Sequence, residues 1–64
     1  MLETTEFKEM KEYIEEEGLN ENIIEDVVDT CERRGVYVAN WDILTDTFIV
    51  IYNDYSVDAY DLYA

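Results

Sequence analysis

Apolar positions along the chain change their period twice. From residue 2 to 17, Leu2, Phe7, Met10 and Ile14 recur at near-helical spacing with Tyr13 beside them, which predicts a first helix. Gly18 follows as a C′ residue. Asn20 then stands as an N-cap, with Glu21 in the favourable first turn of a second helix over 21–34. Its stripe is Ile24, Val27, Val28 and Cys31, at i, i+3, i+4 and i+7, flanked by Ile23. Arg33 and Arg34 suit the dipole of the last turn, and Gly35 ends the helix. A linker of about three residues makes the two helices antiparallel neighbours.

Beyond Gly35 the helical spacing stops. Residues 36–41 read as a strand, 42–46 as a turn, and Thr47–Tyr52 as a second strand. Thr47–Tyr52 is the one long unbroken apolar run. Its β-branched and aromatic residues predict a strand buried on both faces. Asn53-Asp54 breaks it. The last stretch, 55–64, has two readings. Ser56 can cap a short helix with Val57, Tyr60 and Ala64 on one face, or the residues alternate as a third strand; the short helix or turn is slightly favoured.

The predicted fold is α+β, a single small acidic domain over 1–64: two antiparallel helices packed on a β-hairpin, with a short C-terminal helix or third strand. Leu2, Phe7, Met10, Ile14, Ile24, Val27, Val28, Cys31, Val38, Trp41, Phe48, Val50 and Ile51 are its expected core. One layer of helices cannot cover both faces of a strand. Homodimerisation through the sheet would cover the second face.

Composition changes the picture through charge. Seventeen acids against four bases leave a net charge of −13, against a magnitude of roughly 2–8 for a designed soluble domain of this size. Self-repulsion on that scale destabilises the compact state. The sign argues against direct contact with nucleic acid or an anionic membrane, and for a basic partner. Glu3–Glu17 holds seven glutamates and two lysines. At about 1.5 Å per residue this is one net negative charge per roughly 4 Å, close to the one phosphate per about 3.4 Å of a DNA strand. Lys8 is placed to pair with Glu12, and Lys11 with Glu15. Glu15-Glu16-Glu17 sits where the helix dipole disfavours acids.

No residue set points to chemistry, and the chain is read as not an enzyme. There is no histidine. Cys31, on the apolar stripe, reads as core packing. Asp54, Ser56, Asp58 and Asp61 imitate a calcium loop only loosely, because Ala59 stands where glycine is needed and no glutamate closes the loop. No metal or cofactor is expected. A lone cysteine, an N-terminus without a signal-peptide pattern and no apolar run of about 20 residues are expected of a cytoplasmic protein. The C-terminal half interleaves Tyr52, Tyr55, Tyr60 and Tyr63 with Asp54, Asp58 and Asp61. That mixture suits an arginine-rich partner or closes the core.

In length, Glu-rich helices, Asp/Tyr-rich end and lack of catalytic residues, the chain resembles small phage or mobile-element anti-defence proteins, including anti-CRISPR and anti-restriction DNA mimics. The resemblance is one of general character and carries over no site. It implies a host nuclease or CRISPR effector as partner, met in the host cytoplasm through its basic DNA- or RNA-binding channel. The alternative is an acidic antitoxin or regulatory subunit that neutralises one basic protein without mimicry. The expected contact residues are Glu9, Glu12, Glu16, Glu25, Asp26, Asp29, Asp54, Tyr55, Asp58, Tyr60 and Asp61.

Overall fold

Two helices followed by three strands make an α+β fold, seen in a computed structural model that describes residues 4–62. Helix α1 runs Thr5–Glu17 and α2 Asn22–Arg34; strands β1 (Val38–Leu44), β2 (Thr47–Tyr52) and β3 (Val57–Asp61) form one antiparallel sheet in the order β1-β2-β3. Leu2, expected in the core, lies outside the described residues.

Helix α1 begins where Thr4 turns extended backbone into helix. Its hydroxyl accepts from the Phe7 N–H at 3.1 Å and donates to the Val38 carbonyl at 3.0 Å. One side chain therefore caps the helix and ties it to β1. Gly18 ends α1 at φ 66, with Gly18 N–H on the Glu15 carbonyl and Leu19 N–H on that of Ile14. The N-cap of α2 is Glu21, without a side-chain cap bond, and not the expected Asn20. Asn20 stands one residue earlier, where its Oδ1 accepts from the Asn22 N–H at 3.0 Å and closes the turn that leads into the helix.

The apolar stripe of α2 is rotated from the expected one. Ile23, Val27, Thr30 and Cys31 are buried, while Ile24 and Val28 are half-buried on the flank. Spacing alone admits both stripes, because the five apolar residues spread over an arc of roughly 140°, wider than a single packed seam. Docking on the sheet selects the one that includes Ile23. Trp41 and Ile51, also expected in the core, are half-buried. Trp41 stacks on Phe48 with centroids 5.5 Å apart and meets Tyr13 of α1 at 5.3 Å. This aromatic row joins helix to sheet.

Three strand expectations need correction. β1 runs from Val38 to Leu44, so residues 36–37 precede the strand, residues 42–44 belong to it, and the turn is only Thr45-Asp46, with Leu44 paired to Thr47. Thr45 has φ 58, the sign that a two-residue hairpin turn demands at its first position. Residues 57–61 are a third strand and not the favoured helix. Its pairing with β2 satisfies the backbone of a central apolar strand, which a helix over 57–64 would leave open on one edge. Finally, β2 is not buried on both faces. Phe48, Val50 and Tyr52 are buried beneath the helices, and Thr47, Ile49 and Ile51 are half-buried by their cross-strand neighbours. Both helices lie on one face of the sheet.

Candidate functional site

The expected contact residues occupy four places. Glu9, Glu12 and Glu16 are exposed on α1, at spacings that put them opposite Phe7, Met10 and Ile14. Glu25 is exposed on α2. No Lys8–Glu12 or Lys11–Glu15 ion pair forms among the described residues. This face of the helix layer is thus a row of carboxylates backed by a rigid apolar stripe.

Four other residues come together. Asp26 and Asp29 of α2 face Asp58 and Tyr60 of β3 across a cleft of about 320 Å³, completed by Thr30, Arg33 and Ala59. Asp26 and Asp29 are at least 29 positions from Asp58 and Tyr60 in the sequence. The third strand brings them together by standing at the sheet edge beside α2. Arg33 holds Asp29 at 3.0 Å, an exposed i,i+4 pair worth only about 0.3–0.5 kcal/mol. Asp58 accepts from the Tyr52 hydroxyl at 2.9 Å, which fixes its carboxylate at the inner wall. Burial pushes the Tyr52 phenol up, and the Asp58 hydrogen bond and charge push further. Burial also raises Tyr60; the Tyr52 hydroxyl opposes this, and the charges of Asp58 and Asp26 add to it. Both phenols are thereby kept neutral, and Tyr52 keeps the proton that it donates to Asp58.

Asp54 and Tyr55 form the third place, the β2–β3 turn. Asp54 accepts from the Ser56 hydroxyl at 2.6 Å and from its N–H at 3.1 Å, and meets Arg34 at 2.6 Å. The Ser56 bonds, then Arg34, hold its carboxyl below the usual range. Arg34 also lies over the Tyr52 ring at 5.9 Å. Asp54 thus clips the turn to the end of α2, and its charge is committed inside the molecule. Tyr55 is the opposite case. It sits at φ 71, a conformation that favours glycine, and its side chain is 90% exposed.

Asp61 occupies the fourth place. It pairs with Thr47 on the sheet face away from the helices. That face carries residues the sequence reading passed over: Asp42, beside Ile49, and Leu44 and Val57, 54% and 55% exposed. The sequence pattern places Asp42 in a turn, whereas it stands within β1. The alternation Trp41, Ile43 was the available sign that the strand continued.

Cys31 is buried, and burial, then the Glu32 charge, pushes its thiol up. A buried, protonated thiol has neither the access nor the ionised form that a nucleophile needs. Among the described residues, no group of three or more Cys, Asp or Glu side chains is placed to hold a metal ion, and no helix is long and apolar enough to cross a membrane. No protein-family model, curated protein or solved structure matches this chain.

Proposed function

We propose that this protein is a non-enzymatic inhibitor whose carboxylate surface imitates nucleic-acid phosphates and fills a basic DNA- or RNA-binding channel of another protein. The resemblance to anti-defence proteins makes a host nuclease or CRISPR effector the proposed partner. The observation that carries the reading is the outward face of α1. Its thirteen residues hold six glutamates and two lysines, a net charge of −4, over a helix of roughly 20 Å. One net charge per about 5 Å approaches the phosphate spacing of a nucleic-acid strand. The Cα frame is 28 Å long, the axial length of roughly eight stacked bases at about 3.4 Å each. Such a surface attracts a basic channel from a distance and binds more weakly in salt.

Competition tests this. Immobilised protein is offered a host lysate, and the bound fraction is challenged with duplex DNA. A mimic releases its partner to the duplex, and the triple change Glu9→Gln, Glu12→Gln and Glu16→Gln weakens capture. Retention of the partner under excess duplex, with capture unaffected by the triple change, refutes mimicry.

A second reading, an acidic module that binds one basic protein without mimicry, is favoured by Tyr55. A fully presented tyrosine on a strained turn is costly for the fold and useful as an interface anchor. Under that reading Tyr55→Ala abolishes capture while the glutamate changes leave it intact.

A further inference from the structure

The helices cover one face of the sheet only. On the other, the register aligns Leu44 with Thr47 and Asp61, Asp42 with Ile49 and Ala59, and Asn40 with Ile51 and Val57. The centre is apolar, with Ile49 and Ile51 half-buried and Leu44 and Val57 more than half exposed. Asp42 and Asp61 place carboxylates on opposite strands across it.

Two occupants compete for this surface: a second copy and a partner. Three strands at about 4.8 Å spacing, five to seven residues long, make a face of roughly 250–300 Å². A stable dimer buries about 800 Å² per partner. A second copy would also bring its own Asp42 and Asp61 and a further net charge of −13 to the contact. Like charges brought together in an interface cost several kcal/mol. A basic partner gains from the same carboxylates.

We infer that the open face of the sheet is the docking surface for a basic amphipathic element of the partner, with alternate aliphatic side chains on Ile49, Ile51 and Val57 and arginines or lysines on Asp42 and Asp61. This rests on the reading above that the partner is basic, and adds that charge on α1 steers while the sheet face holds. Burial of aliphatic surface persists in salt that screens the glutamates.

The test uses two synthetic peptides of equal length and charge, one alternating arginine with valine and one alternating arginine with serine. Each is titrated into the labelled full chain and followed by amide chemical shifts. The expected result is at least roughly tenfold tighter binding of the arginine–valine peptide, equal to about 1.4 kcal/mol, with shifts centred on Ile49, Ile51 and Val57. The advantage falls several-fold in Leu44→Thr/Val57→Thr. These positions are exposed and threonine keeps the strand preference, so the variant folds, as its unfolding midpoint checks. Equal affinities with shifts confined to α1 overturn the docking surface and leave the basic-partner reading standing. No binding of either peptide overturns both. Self-association in sedimentation that is lost in Leu44→Thr/Val57→Thr assigns the face to a second copy and overturns the inference.

Discussion

Tyr52→Phe removes one oxygen from the centre of the molecule and tests how the acidic cleft is held. Tyr52 is 1% exposed, and its hydroxyl donates to Asp58 at 2.9 Å. A hydrogen bond to a charged group contributes about 1.5–3 kcal/mol. Asp58 is only half-buried, and water takes over part of that loss, so about 1.5 kcal/mol is expected near neutral pH. For a domain of 60–100 residues that lowers Tm by roughly 6–12 °C. The pH dependence sharpens the test. The Tyr52 pKa is raised in the folded chain from an ordinary value of 10.0. Above about pH 10 the unfolded chain gives up this proton and the folded chain keeps it, so stability falls as pH rises. One such group costs about 1.4 kcal/mol by roughly pH 11. Phenylalanine has no proton to lose there. The two proteins therefore differ by about 1.5 kcal/mol at neutral pH and converge near pH 11. The assay is urea unfolding followed by Trp41 fluorescence across that range. A neutral-pH difference below about 0.5 kcal/mol, or a gap that stays constant with pH, refutes the account of Tyr52 as a buried donor to Asp58.

Four further outcomes follow from other parts of the molecule. Gly18→Ala places a methyl group in open space but at φ 66, so about 1 kcal/mol is lost from backbone strain alone; Tyr55→Gly at φ 71 relieves the same strain and leaves stability unchanged or raised by about 0.5 kcal/mol, while partner capture falls. Urea midpoints rise as sodium chloride is added from about 20 mM to about 0.5 M, because screening weakens self-repulsion; a flat or falling midpoint refutes that. The Cys31 thiol reacts with a thiol reagent only at the rate of unfolding, since it is buried and its ionisation is raised; stoichiometric reaction in native buffer within seconds contradicts its placement.

Fold class and the C-terminal ends of both helices were legible in the sequence; the start of α1 at Thr5, behind its extended Thr4 cap, was not, since the expected helix began at residue 2. Gly18 and Gly35 lie at left-handed positions that end both helices, and the span of β2 is the predicted Thr47–Tyr52. These features are local: a C′ glycine and a β-branched run act within a few residues. The site was legible only in part. Glu9, Glu12, Glu16 and Glu25 are exposed as expected because helical spacing alone puts them away from the apolar stripe.

Everything that depended on register was left to the tertiary structure. The third strand exists because β2 needs a partner on each edge, and residues 57–61 alternate too weakly to announce it. Its formation makes Asp58 and Tyr60 walls of a cleft with α2 and puts Asp61 on the other side of the sheet. The two-residue turn at Thr45-Asp46 sets which of Asp42 and Ile43 faces the helices. A shift of one residue would have exchanged them, since side chains alternate along a strand. From the sequence alone one reads the sign and density of the charge, a property of composition. Which carboxylates share a surface, and that an apolar face lies open between Asp42 and Asp61, is decided by strand pairing, which joins residues distant in the chain.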